Sequence, residues 1–353
     1  MGGCDARRRG ATPLSGFSAP FVFGRFQVPA DNPLIEESVE LGRRLFYDPR
    51  LSATGTVSCS TCHIQRLAFT DGRTTSVGVS GKPLAFNSMS LANLLWGPQH
   101  FFWNGRAATL EEQALIPIQH ADEMAQDLGR LVAELAADAS YRELFETAYG
   151  ETSPAAIARA LASFERTLIS SNSRYDQFLR GEISLDAEAE LGRKLFMAHP
   201  DVKVSLRGAN CIDCHSQFLI SGFSARYDGF SNNGLDDEEH LQPGLQAVTG
   251  NPAHRGLFKV PSLRNIALTR PYMHDGRFTT LEEVLDHYDR GIRNSSTLSP
   301  LIVEADNRGA AAEGRISLHL TAKEKAAIIA FLHTLTDQDF VTAERFSDPF
   351  TGK

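Results

Sequence analysis

Apolar residues at Leu128, Leu131, Val132 and Leu135 recur every three or four positions, the spacing of one helix face. The same pattern predicts packing helices over 127–150 and 155–179. Two further stretches, Leu41-Gly42-Arg43-Arg44-Leu45-Phe46 and Leu191-Gly192-Arg193-Lys194-Leu195-Phe196, read as amphipathic helices. Glu37 and Glu40, and an acidic run over 186–190, fall in their first turns, where carboxylates favour the helix dipole. A last helix is expected over 321–336, and a long ordered loop over 221–251, which is rich in Gly, Asn and Asp. Strand patterns are short and few, so the fold is expected to be mainly α.

The two amphipathic stretches belong to an internal duplication. Trp103-Asn104-Gly105-Arg106-Ala107-Ala108-Thr109-Leu110-Glu111-Glu112 matches His274-Asp275-Gly276-Arg277-Phe278-Thr279-Thr280-Leu281-Glu282-Glu283, each residue 171 positions from its mate. In both copies an Asn/Asp-Gly turn leads into a helix, with Thr109 or Thr279 expected as N-cap. Ser90-Leu91-Ala92-Asn93 and Ser262-Leu263-Arg264-Asn265 are related as well. The repeats predict two pseudo-symmetric, cytochrome c-like domains facing each other, over 31–165 and 166–340. Tails over 1–30 and 341–353 flank them.

Each half contains Cys-x-x-Cys-His: Cys59-Ser60-Thr61-Cys62-His63 and Cys211-Ile212-Asp213-Cys214-His215. This is the attachment signature of a c-type haem: two thiols add across the haem vinyl groups, and the histidine becomes the proximal iron ligand. A redox Cys-x-x-Cys pair or half of a zinc site would share the spacing. Two complete copies favour two covalently bound haems c.

The 353 residues are 42% apolar and 22% charged, ordinary for a globular chain. A formal net charge of −8 argues against nucleic acid and anionic membrane surfaces as partners. No apolar run approaches the roughly 18 residues of a membrane-spanning helix. Haem c is attached outside the cytoplasm, which places the protein in the periplasm. The fifth cysteine, Cys4, follows Met1-Gly2-Gly3. That resembles the end of a bacterial lipoprotein signal with Cys4 lipidated, and reads equally as an unpaired thiol in a tail.

The chemistry of a di-haem pair depends on the sixth position of each iron. The 171-residue offset aligns Tyr288 with Pro117 and Val284 with Gln113. If Tyr288 ligates the second iron, a proline stands at the equivalent place on the first, and proline cannot ligate. The neighbouring His287 is the alternative ligand, with Tyr288 then a buried aromatic. Beside the open position lie Gln113 and Glu123. Cleaving bound peroxide needs a group that moves a proton between its oxygens. Glu123 is the candidate, with Gln113 as hydrogen-bonding assistant; a solvated helix glutamate is the plainer reading.

Taken together, these residues resemble the bacterial di-haem cytochrome c peroxidase family, over about Asn32 to Thr336. The motifs that carry the resemblance run from Leu41 to Ser52, Phe102 to Ala107, Leu110 to Ala114 and Pro271 to Gly276. The resemblance implies a peroxide-reacting haem in the first domain and an electron-transfer haem in the second. It implies that Trp103 relays electrons or holes between them, and that Glu123 and Gln113 form the distal acid–base pair. It also implies one Ca²⁺ between the domains, bound by the Asn87 side chain and the carbonyls of Thr269 and Pro271. Two departures resemble the MauG-like branch. Val79 stands where the ordinary peroxidases carry a loop histidine, and Tyr288 where they carry methionine. Members of that branch use H₂O₂ to oxidise aromatic residues of a partner protein, through an oxidised state shared by both haems. One such relative, from methanobactin biosynthesis, converts a partner's tryptophan to kynurenine. The surface tryptophan that MauG carries before its second haem motif is missing from 206–210. The expectation is therefore an H₂O₂-dependent oxidase acting on tryptophan or another aromatic residue of a partner protein. The alternatives are a peroxidase served by a small electron donor and a simple electron-carrier cytochrome.

Overall fold

The computed structural model of the chain describes residues 12, 14–15, 17, 20, 23–24, 26, 28–97, 100–216, 229–308 and 316–351. Cys4, with the lipid-anchor expectation, lies outside these residues, as does the 221–228 part of the expected loop.

Helices dominate, and they pair in the same way twice. In the first half α1 (Glu36–Tyr47) packs on α3 (Pro154–Thr167), with α2 (Leu110–Gln119) alongside. In the second half α4 (Ala187–Met197) packs on α6 (Ala322–His333), with α5 (Leu281–Asp286) in the place of α2. Capping fixes where these helices begin. The side chains of Thr109, Ser153, Asp186 and Thr321 each accept a backbone N–H of the first turn. The cap expected at Thr279 is Thr280, which accepts from Glu283 N; Thr279 instead donates its hydroxyl to Glu283 Oε2. The 171-residue offset carries Thr109 onto Thr280, the residue that begins Thr-Leu-Glu-Glu.

The duplicated Leu-Gly-Arg explains the close pairing. Gly42 faces the Ala160 carbonyl, and Gly192 faces the Ala327 carbonyl, so tightly that a methyl group at either would overlap the backbone opposite. Leu41, Leu45 and Phe46 then sink into one core, and Leu195 and Phe196 into the other. Gly42→Ala or Gly192→Ala is expected to cost about 1–3 kcal/mol by overpacking. The urea-unfolding midpoint reads this loss, and a midpoint unchanged from wild type would show that the helices part without penalty.

The end of the chain returns to the first core. Phe340, Val341 and Phe346 are buried with Phe69, whose ring lies 5.5 Å from that of Phe340. Tyr47 donates its hydroxyl to Phe346 O at 2.7 Å, and Arg43 Nε donates to Ser347 O at 2.7 Å. A boundary at residue 340 thus cuts through one packed cluster.

The halves meet through a reciprocal exchange. Asn87 N donates to His274 O and Lys259 N donates to Trp103 O, both at 2.8 Å. Trp103 and His274 are mates in the repeat, and their rings meet edge-to-face at 6.5 Å. Phe86 and Phe258 form another edge-to-face pair at 6.0 Å. Lys259 also belongs to the two-stranded ladder Phe230–Ser231 with Phe258–Lys259. A pseudo-twofold axis therefore runs through this aromatic cluster.

Candidate active site: two Cys-x-x-Cys-His turns and the cavity between them

The first motif is a single helical turn, Cys59–Cys62, that starts at Ser58. The turn brings both thiols to one side, and His63 N closes it on Cys59 O at 2.9 Å. In the second motif a 3-10 turn over Cys211–Asp213 does the same, with His215 N on Cys211 O at 2.8 Å. Both imidazoles are anchored through Nδ1: His63 to Phe69 O at 2.8 Å and His215 to Pro261 O at 3.2 Å. An Nδ1–H donated to a carbonyl makes Nε2 the nitrogen with a lone pair to ligate, the tautomer a haem iron needs.

Burial pushes all four thiols up, Cys211 to about 12 and Cys214 to about 11. Reactive redox cysteines have lowered values, because the thiolate is the nucleophile. A zinc site needs further ligands. Among the described residues no group of three His, Cys, Asp or Glu is placed to hold a metal ion. The donor set, two thiols and one imidazole per turn, fits a haem c.

Around His215 lies an apolar cavity lined by Cys211, Cys214, Tyr288 and Met273 and reaching Trp103 at the domain interface. Tyr288 sits in a π-helical turn, His287–Gly291, that follows α5. Its hydroxyl accepts from Asn233 Nδ2 at 3.2 Å, and burial pushes the phenol up to about 12 against the pull of that hydrogen bond. His287 is engaged elsewhere, with Nε2 on Asn233 O at 3.0 Å. Of the two candidate ligands, Tyr288 is the one that lines the cavity with His215.

On the first side, Gln113 and Pro117 share a face of α2, one turn apart. Gln113 Oε1 is buried without a hydrogen-bond partner among the described residues. The backbone turns after α2 through Met124 N on Pro117 O, and Glu123 is set there. Burial raises the Glu123 carboxyl above the ordinary carboxylate range, partly offset by His120 and Arg106. His120 Nδ1 is 3.7 Å from Glu123 Oε1, and the Glu123 charge is felt at Cys62. The structure thus brings Glu123 near the first motif as a partly buried acid.

The loop containing Val79 is tied to that acid. Val79 N donates to Glu123 O at 2.8 Å, and Gly78 lies directly against the backbone of Asp122 and Glu123. Trp103 is buried, and its Nε1 donates to Asn87 O at 2.9 Å. Asn87, Thr269 and Pro271 all line the cavity. Asn87 Nδ2 donates to Arg73 O at 2.8 Å, which directs its Oδ1 elsewhere.

His274 escaped the sequence reading, although its alignment with Trp103 was the signal that could have found it. Its ring stacks on Phe258 at 3.6 Å, and burial pushes its pKa down to about 4, so it is neutral at neutral pH. Asn233 escaped as well, because nothing in a Gly/Asn-rich loop distinguishes one amide from another.

A cavity with a histidine-bearing turn, a repeat of that turn, and an aromatic link between halves define a di-haem oxidoreductase. The family model described as di-haem cytochrome c peroxidase matches residues 36–184. The methylamine utilization protein MauG of Methylorubrum extorquens is 37% identical over 87% of this chain and 80% of its own. The cytochrome c551 peroxidase of Nitrosomonas europaea is 34% identical over 88% of this chain and 83% of its own. The crystal structure of a MauG-like protein associated with microbial copper homeostasis superposes with a TM-score of 0.83 at 38% identity, covering 95% of this chain and 99% of that one. The chain belongs to the di-haem cytochrome c peroxidase and MauG family.

Proposed function

We propose that the chain is a periplasmic di-haem c enzyme that uses H₂O₂ to oxidise tryptophan or another aromatic residue of a partner protein. The observation that carries this reading is an asymmetry: Tyr288 lines the cavity with His215, while its mate in the repeat, Pro117, has no ligating atom. Cys59 and Cys62 would hold one haem and Cys211 and Cys214 the other, with His63 and His215 as proximal ligands through Nε2. When bound, the haems supply the redox chemistry, reduction of peroxide at the first and withdrawal of electrons from the partner through the second.

The remaining roles belong to the chain's own residues. Glu123 would accept a proton from one peroxide oxygen and return it to the other, while Gln113 would donate a hydrogen bond to the same molecule. Pro117, the mate of Tyr288 in the repeat, would offer the first haem no ligating atom. Trp103 links the halves, with its indole N–H held by Asn87 O. Asn87 Oδ1 and the carbonyls of Thr269 and Pro271 supply hard oxygen donors suited to one Ca²⁺. No helix among the described residues is long and apolar enough to cross a membrane. Lipidation at Cys4 would anchor the protein to one.

The test adds stoichiometric H₂O₂ to the fully ferric protein with candidate partners and follows partner mass. Because the 38% identical MauG-like protein is associated with copper homeostasis, copper-handling proteins are the first partners to try. Added oxygen on a partner aromatic is the expected result. The relatives named as peroxidases favour a second reading, reduction of H₂O₂ by a small electron donor. Failure of the ferric protein to react before half-reduction would establish that reading instead. Trp103→Phe is expected to suppress partner oxidation strongly while ferric protein still consumes peroxide; equal losses of both would remove Trp103 from the link.

A further inference from the structure

The cavity around His215 contains a second donor that the proposed function leaves unused. Met273 has φ 75°, a conformation that non-glycine residues adopt rarely and at a cost. The turn it opens closes through Gly276 N on Met273 O at 3.2 Å, and the residue lines the cavity with Cys211, Cys214, His215 and Tyr288. Its Sδ accepts from Asn233 Nδ2 at 3.5 Å, the same amide nitrogen that donates to the Tyr288 hydroxyl at 3.2 Å. Asn233 is fixed from both sides. Its carbonyl accepts from His287 Nε2, and the preceding Asn232 bonds Ser295, Thr297 and Gly234 N. A thioether and a phenol therefore share one rigid donor in one cavity.

We propose that Met273 is an alternative sixth ligand of the second haem iron, replacing Tyr288 when that iron is reduced. This rests on the reading that His215 and Tyr288 ligate the ferric second haem. The preference follows from ligand softness: a phenolate oxygen suits Fe(III), while a thioether sulfur suits Fe(II) and raises the potential. In the exchange, one electron from a small one-electron donor enters the iron. The iron–oxygen bond to Tyr288 breaks, the released phenolate takes one proton from solvent, and an iron–sulfur bond to Met273 forms. Nothing in Met273 is oxidised, and reoxidation reverses each step. Asn233 can hold whichever side chain is off the iron.

The test uses the holoprotein, with resonance Raman and magnetic circular dichroism of the ferric and dithionite-reduced states. Wild-type ferric protein is expected to show tyrosinate vibrations. Their absence would refute the Tyr288 assignment, and with it the exchange. Met273→Leu should leave those vibrations unchanged, turn the ferrous second haem from low to high spin, and lower its midpoint potential. Tyr288→Phe should give the ferric second haem a far-red methionine-to-iron charge-transfer band, lost again in Tyr288→Phe/Met273→Leu. If Met273→Leu matches wild type in ferrous spin state and potential, or Tyr288→Phe shows no methionine band, Met273 is not a ligand, whatever the fate of the Tyr288 assignment.

Discussion

Glu123→Gln is expected to slow the reaction of the ferric protein with H₂O₂ by about 10²–10⁴-fold, the range ordinarily lost with a positioned acid–base group. Glutamine keeps the size and hydrogen-bonding capacity of the side chain but cannot carry a proton between two oxygens. The pH profile separates this from a packing effect. Glu123 must be ionised to accept the first proton, so the wild-type rate falls as pH drops through its pKa. Burial lifts that pKa above the usual carboxylate range, so the acid limb lies at higher pH than for an exposed glutamate. The limb should vanish in Glu123→Gln, and cyanide binding should persist because the iron remains accessible. Stopped-flow rates in the variant equal to wild type would exclude Glu123 from proton transfer.

Arg264→Met is expected to cost about 3–5 kcal/mol of stability, the penalty for removing one partner of a buried ion pair. Arg264 Nη1 meets Asp176 Oδ1 at 2.5 Å and Oδ2 at 2.6 Å, and both side chains are almost fully buried. Asp176 Oδ2 keeps the Ser173 N–H and hydroxyl, which cannot replace a full positive charge. The guanidinium also lies 4.8 Å from the Phe23 ring, bringing the N-terminal segment to the same point. Removing the stranded charge as well, in Arg264→Met/Asp176→Asn, should recover most of the loss. Denaturant unfolding followed by circular dichroism measures both variants, and equal stability of the two would show that the charge was never stranded.

The repeat made much of this architecture visible in the sequence. Cys-x-x-Cys-His is legible because its chemistry is local, and Leu-Gly-Arg marked two helices whose glycines proved to be their crossing points. Which of His287 and Tyr288 lines the cavity was not legible. It depends on a π-helical turn that changes the phase of the helix, and no periodic pattern encodes such a turn. Arg264 and Asp176 were equally hidden, since they are distant in sequence and each looks like an ordinary surface charge. Arg264 aligns with Ala92 in the other copy, so this pair also marks where the duplication has diverged. The chain end read as a tail completes the first core, because Phe340, Val341 and Phe346 are too few to show a period.

The bond from Val79 N to Glu123 O has a consequence for how such an enzyme could be controlled. With Gly78 wedged against the same backbone, the loop and the main chain of Glu123 form one mechanical part. A swing of the loop would have to break this bond or carry the Glu123 main chain with it. If Glu123 carries the proton, a mutation that loosens the loop would shift the carrier's backbone as well.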